Sequence, residues 1–137
     1  MRIKLDEFAF MPLRAYKNDA GLDLRAPYDV WLDRESYTTI DTGVHVELPQ
    51  GTVGMLKSKS GLNVKHGIVS EGVIDQGYTG SIVVKLYNHG SSAYRIHAGD
   101  KITQLVIVPV VIPEEIEVVD TLETTERGND GFGSTGK

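Results

Sequence analysis

The chain contains no cysteine, which excludes a disulfide framework, a thiolate nucleophile and any cysteine-ligated metal site. Long apolar runs are missing too. The longest, Leu105 to Ile112, contains Pro109 and falls far short of the ~20 residues that a membrane-spanning helix needs. After Met1 come Arg2, Ile3, Lys4, Leu5, Asp6 and Glu7, without the apolar stretch of a secretory signal, so a cytoplasmic protein with no membrane partner is expected. Positive charge is scarce: the net charge is −5 and the pI about 5.3. That balance excludes a broad attraction to nucleic acid or to an anionic lipid surface, and leaves a small polyanion held by local cations. No sustained 3.6-residue apolar pattern occurs, so any helix is short.

What is present is strand-like. Apolar residues alternate at Val44, Val46 and Leu48, again at Ile82, Val84 and Leu86, and from Ile102 into the run that opens at Leu105; a period of two is the signature of a half-buried strand. Turn residues separate these windows at short intervals, among them Pro49-Gln50-Gly51, Gly61, Gly67, Gly77, Gly80, Gly90 and Gly99-Asp100. A chain of 137 residues built this way predicts one all-β domain, a sandwich, jelly roll or barrel. Pro109 to Glu117 reads as a final strand with proline at its edges. Ser60 to His66 is the best helical candidate, with Ser60 as its cap. The boundary is placed near Asp120, with residues 1–120 as body and 121–137 as tail.

Three clusters carry chemistry. The tail, Arg127 to Lys137, is glycine-rich and holds Phe132, Arg127, Ser134 and Thr135. A ring to stack on a base, a guanidinium for phosphate and backbone free to approach it suit a flap that orders over a nucleotide; a frayed terminus would have similar composition. Gly131 to Lys137 matches the first seven positions of a P-loop, but a P-loop needs a strand before it and a helix after it, with Ser or Thr following the lysine, so none is expected here. The second cluster runs from Gly72 through Asp75 and Tyr78 to Gly80: a carboxylate on a turn at a strand end, suited to proton acceptance or to bonding its own turn amides. The third, Lys57 to Gly67, is the most cationic stretch of an acidic chain, fit for a diphosphate or triphosphate or for a solvated loop. Four histidines, at 45, 66, 89 and 97, lack the spacing of zinc ligands.

In order along the chain, these clusters resemble the five motifs of the trimeric dUTPase family. Ala20-Gly21-Leu22-Asp23-Leu24 is similar to the first. Pro49-Gln50-Gly51 leading to Lys59-Ser60-Gly61 is similar to the second, and Gly72-Val73-Ile74-Asp75 through Tyr78 and Gly80 to the third. Gly99 to Leu105 resembles the fourth, and Arg127-Gly128 with Gly131 to Gly136 the fifth.

The resemblance implies a jelly-roll-like β-barrel with a flexible glycine-rich tail, a homotrimer with shared active sites, and Mg²⁺-assisted hydrolysis of dUTP to dUMP and pyrophosphate. That reaction lowers dUTP and supplies dUMP for thymidylate synthesis. By the same resemblance, Asp75 is the general base, and Mg²⁺ is held mainly by phosphates and water with no direct protein ligand. Tyr78 lies against the deoxyribose. The backbone of Gly72, Val73 and Ile74 reads uracil beside Val83, while Lys59, Ser60, Gly61 and Gln104 address phosphates. Phe132 stacks on the base, and Arg127, Gly133, Ser134 and Thr135 close over the phosphates.

The chain departs from the family in carrying Lys59 where arginine is usual, and in having Ser70 and Glu71 before the base, with Glu71 expected to point outward. A related deaminase would need a glutamate where this chain has Lys85, which cannot accept a proton at neutral pH. A non-catalytic β module would leave Asp75, Tyr78 and the tail without a role. A regulatory protein partner is left open.

Overall fold

The structure is a computed structural model that describes residues 1–131. Its regular structure is almost entirely antiparallel strand, and the order of those strands decides where the motif residues fall. In chain order the elements are β1 (Arg2–Leu5), β2 (Gly21–Arg25), β3 (Val30–Leu32), β4 (Ser36–Glu47), β5 (Thr52–Ser58), α1 (Ser60–His66), β6 (Ile68–Ile74), β7 (Ser81–Asn88), β8 (Tyr94–Ile96) and β9 (Lys101–Pro109). Seven strands curl into one sheet, ordered β1-β4-β7-β6-β5-β9-β2, and β3 with β8 forms a small second ribbon. This is the all-β architecture expected from the alternating windows, in the jelly-roll-like form that the family resemblance implies.

The curl has local causes. β4 pairs with β7 from Ser36 to Asp41 and with β1 from Val44 to Glu47, and the register shifts between Asp41 and His45. At that bulge Thr42 is buried and its hydroxyl donates to the Ile82 carbonyl at 2.7 Å. Four steps along β4 from Asp41 to His45 match two along β7 from Val83 to Ser81, so two extra residues bend the strand there and let one long segment serve two directions. Inside the curl, Leu24, Ile40, Ile82, Val84, Leu86, Ile96, Ile102 and Leu105 are fully buried, each contributing about 1.5–3 kcal/mol. β2 shows no alternation because Gly21, Leu22, Asp23 and Leu24 are all buried. The segment before it covers the outer edge, where the Asp23 amide donates to the Leu13 carbonyl at 2.9 Å.

Two expectations are corrected. The last strand is Lys101–Pro109, and among the described residues no regular element follows it; Val111 and Val118 are 91% and 95% exposed. Pro109 and Pro113 lack the amide donors that a strand continuing along β5 would need, and the ladder to β5 stops at the Thr52–Pro109 pair. The helix spans Ser60–His66 as expected, but Lys59 occupies its N-cap position in extended backbone without a side-chain cap, and Ser60 is already helical. No described helix is long and apolar enough to cross a membrane.

Candidate functional site

Strands β2, β9 and β5 bring the first, second and fourth motifs into one row. Asp23 pairs with Gln104 across β2–β9, and Gln104 with Lys57 across β9–β5. The Gln104 side chain lies directly over Gly21: a Cβ there would stand 2.3 Å from Gln104 Oε1 and 2.9 Å from its Cβ. Glycine is therefore required at position 21 for the Gln104 amide to reach the Ser58 carbonyl, to which Nε2 donates at 3.2 Å. The row ends at α1, whose first residues Ser60 and Gly61 lie beyond β5, with Ser60 exposed. Lys59, Lys65 and Lys101, with Gly61 and His66, line a cavity of about 290 Å³, a cationic surface on an acidic chain.

Asp23 organises these cations. It is 3% exposed, and it accepts from Lys59 Nζ at 2.5 Å and Lys101 Nζ at 2.7 Å. Burial opposes ionisation of this carboxyl, but hydrogen bonds from Lys101 and Lys59 and their charges outweigh it, holding the Asp23 pKa below the ordinary carboxylate value. Sequence reading placed Lys59 at the phosphates and gave neither Asp23 nor Lys101 a role. The available signal was Leu22-Asp23-Leu24, an acid between two apolar residues in a strand, since a buried carboxylate must find cations.

The third motif forms the β6–β7 hairpin. Its ladder pairs only Ile68, Val69 and Ser70 with Asn88, Tyr87 and Leu86. Beyond Ser70 the strands part: Glu71 to Ile74 bond to β5, and Ser81 to Lys85 bond to β4. The gap is flanked by the backbone of Gly72, Val73 and Ile74 on one side and by Val83 on the other, with Val73 and Val83 exposed. Asp75 follows on the exposed turn, and its carbonyl accepts from the Tyr78 amide at 3.0 Å. The Tyr78 hydroxyl donates to the Ser81 carbonyl at 2.9 Å, which lays the ring across Gly80. A Cβ on Gly80 would stand 2.5 Å from that hydroxyl. In this way the turn holds a carboxylate with no partner among the described residues and an aromatic plate at the mouth of a strand gap.

These two groups of residues stand at opposite ends of β5. Ile74, next to Asp75, pairs with Gly54 near the start of that strand, whereas Ser60 lies just past its end. Six residues of extended chain separate those positions, roughly 20 Å at about 3.3 Å per residue. Arg127 is exposed and donates to the carbonyls of Asp130 and Gly131 at 3.0 and 3.5 Å, within its own segment. Phe132, Gly133, Ser134 and Thr135 lie outside the described residues.

Other residues singled out in the sequence are engaged elsewhere. Glu71 points outward and pairs with Lys57 at 2.9 Å, while Ser70 is buried against Thr103 at 2.7 Å and receives no free space for a ligand. Lys85 lies 4.0 Å over the Tyr37 ring and 4.8 Å over that of Tyr87. Among the described residues no group of three or more His, Asp or Glu side chains could hold a metal ion.

Comparison with known proteins gives the family and the fold. The dUTPase family model matches residues 8–136. A deoxyuridine 5'-triphosphate nucleotidohydrolase of Gloeothece citriformis is 42% identical over 136 residues, covering 97% of this chain and 93% of that protein. A mutant dUTPase of Staphylococcus bacteriophage 80alpha, solved with dUpNHpp, superposes with a TM-score of 0.90 at 33% identity, covering 99% of this chain and 98% of the other. A mutant dUTPase from phage phi11 of S. aureus, described with a structural Mg(II) ion, has a TM-score of 0.81 at 32% identity and covers 90% of this chain and 98% of that one.

Proposed function

Since this chain belongs to the dUTPase family and is a dUTP nucleotidohydrolase, we propose that Asp75 orients and deprotonates the water that attacks the α-phosphate, in a homotrimer whose sites are shared between subunits. The observation that carries this reading is the separation of the two half-sites along β5. A substrate α-phosphate touching both the Asp75 carboxylate and the Ser60-Gly61 end would have to span roughly 20 Å within one chain. Three copies related by a rotation axis supply the missing half to each other.

Each residue then has a chemical task. The edge of Gly72, Val73 and Ile74 that faces the gap, opposite the one bonded to β5, offers fixed donors and acceptors to uracil beside Val83. The Tyr78 ring packs on deoxyribose and leaves no room for a 2′-hydroxyl, so ribonucleotides are rejected by a clash. Lys59, Ser60, Gly61 and Gln104 bind phosphate oxygens at the cationic end. The Asp75 carboxylate takes the proton of the attacking water as the bond to phosphorus forms and that to pyrophosphate breaks. Residues 1–120 act as body and 121–137 as a lid: Phe132 stacks on the base, and Arg127, Gly133, Ser134 and Thr135 close over the phosphates and exclude water. To do so, Arg127 exchanges its carbonyl partners for phosphate oxygens.

The donors at these positions are carboxylate, hydroxyl and amide oxygens, chemistry that fits Mg²⁺ bound mainly through substrate phosphates and water rather than by a cage of side chains. When bound, the ion offsets phosphate charge as it builds in the transition state. Removal of dUTP and release of dUMP for thymidylate synthesis follow from this reaction.

The test is pyrophosphate release measured in parallel with dUTP, dTTP, dCTP and UTP, with and without Mg²⁺. Turnover of dUTP alone is expected, and comparable rates with UTP or dTTP would overturn the assigned base and sugar contacts. Ammonia release from dCTP would instead point to deamination.

A further inference from the structure

The hairpin that carries Asp75 and Tyr78 is braced from one side by a histidine that belongs to none of the five motifs. His45 lies just beyond the β4 bulge, paired with Lys4 on β1 and with Ser81 at the start of β7. Its side chain is only 18% exposed. Nδ1 lies 2.8 Å from the Thr79 carbonyl oxygen and Nε2 lies 3.2 Å from Asp6 Oδ2. Asp6 is itself anchored, because its amide donates to the Gly43 carbonyl at 2.9 Å. One ring thus ties the N-terminal segment to the peptide between Tyr78 and Gly80.

Both partners of this ring are acceptors. A carbonyl oxygen has no proton to give, and neither has an ionised carboxylate, so the two contacts together require a proton on each ring nitrogen. Each neutral tautomer keeps one contact and turns a lone pair toward the other oxygen. Proton loss therefore releases either Thr79 or Asp6.

The charged and titratable groups around the ring come from every neighbouring element. Lys4 of β1 stands 3.7 Å from the second oxygen of Asp6, and Arg2 and Glu47 pair at 2.5 Å in the same cavity of about 560 Å³, which Thr79 also lines. Asp41, on β4 before the bulge, accepts from the Ser81 hydroxyl and from the Gly43 amide; these bonds hold its carboxyl below the ordinary value, and the charge of His45 adds to the effect.

The Thr79–Gly80 peptide matters because the Tyr78 ring rests on it, with the Tyr78 hydroxyl fastened to Ser81 on the far side. We propose that His45, with both ring nitrogens protonated, is a positioning residue that pins the Thr79–Gly80 peptide and thereby fixes the Tyr78 ring over the sugar site, so that discrimination between deoxyribose and ribose weakens as the imidazole loses its proton. The inference rests on the reading of Tyr78 as the sugar-facing residue. Its direction is set by the geometry: the brace is complete only while both ring nitrogens carry a proton, and it loses one contact when rising pH removes one of them.

The test uses the full chain and two readouts. First, amide and ring resonances are followed from about pH 5.5 to 8.5 without nucleotide, in the native protein and in His45→Gln. The Gly80 amide should shift with the same midpoint as the His45 ring, and should stay flat in the variant.

Second, kcat/KM for dUTP and for UTP is measured over the same range. The preference for dUTP should fall by about two- to tenfold with rising pH, the factor expected from one hydrogen bond of ordinary net strength. It should be independent of pH in His45→Gln. Asp6→Asn should also flatten the profile, since its amide can meet Nε2 in either protonation state, and it serves where His45→Gln folds poorly.

A Gly80 amide that ignores the ring, or a preference whose pH profile is the same in the native protein and both variants, would overturn the proposal. Tyr78→Ala separates this failure from failure of the underlying reading. If that variant accepts UTP while the His45 profile is flat, the sugar assignment stands and the brace does not; if it still rejects UTP, the sugar assignment itself has failed.

Discussion

Replacing Asp23 by asparagine probes the buried charge centre of the proposed phosphate half-site. The carboxylate is 3% exposed and meets two ammonium groups, whose side chains are 26% exposed for Lys59 and 40% for Lys101. Removing the anion from a fully buried pair costs about 3–5 kcal/mol. Both lysines reach water here, and each can recover part of its solvation. An expected loss of about 2 kcal/mol follows, within the range for one hydrogen bond to a charged group. The pH dependence has a definite sign. The folded Asp23 pKa lies below the unfolded value, so its contribution is complete above the unfolded value near pH ~3.9 and disappears as pH falls through the folded one. The substituted amide cannot titrate, so the gap between native protein and Asp23→Asn should be constant from about pH 5 to 7 and should close in stronger acid. Urea unfolding at one fixed protein concentration measures it, since urea leaves ion pairs unscreened and oligomer stability depends on concentration. A gap below about 0.5 kcal/mol at neutral pH, or one that persists undiminished in acid, would refute the charge-centre assignment. KM for dUTP should rise in the same variant, because Lys59 loses its anchor.

Other perturbations separate the remaining roles. Asp75→Asn should bind dUTP nearly as well as the native chain while hydrolysing it slower by roughly 10²–10⁴-fold, the usual contribution of a positioned general base; single-turnover kinetics with an independent binding assay check it, and near-normal turnover would remove Asp75 from that role. Gly80→Ala puts a methyl group into the Tyr78 ring, so it should relax ribose rejection while changing thermal stability little, as comparison of UTP and dUTP turnover would show. Mixing inactive Asp75→Asn chains with inactive chains lacking Arg127 to Lys137 should restore about a quarter of native activity at equal proportions. Roughly three quarters of random trimers are mixed, and each gains one intact site if base and tail come from different subunits. No recovery in verified mixed trimers would place base and tail on the same chain.

The fold was readable where one face of a strand meets water. β7 alternates buried Ile82, Val84 and Leu86 with the more open Val83, Lys85 and Tyr87, and its period is visible in the sequence. β2 could not be found this way, since both of its faces are covered, one by the core and the other by Gln104 over Gly21 and by Lys59 and Lys101 on Asp23. The segment Pro109 to Glu117 failed for the opposite reason. Its composition suits a strand, yet a strand also needs a neighbour with free donors and acceptors, and β5 has run out of residues at Thr52. Periodicity reports what a segment could bury, whereas pairing depends on what lies beside it.

The same distinction governs the site. Asp75, Tyr78 and the Ser60-Gly61 turn were legible because glycine turns and unusual side chains mark them locally. Their supports were not, because each support is a contact across long sequence separation. Asp23 meets Lys59 and Lys101 only after β2, β9 and β5 come together, and His45 meets Thr79 only after the β4 bulge turns it toward β7. Sequence order also hid the most consequential geometric fact. Asp75 follows Ser60 by fifteen positions, a spacing that looks compatible with one compact site. Antiparallel return along β6 carries Asp75 back to the far end of β5 instead. Residues close in sequence are thereby driven apart by nearly the full length of a strand, and this separation is what motivates the proposal that a neighbouring copy unites the two half-sites.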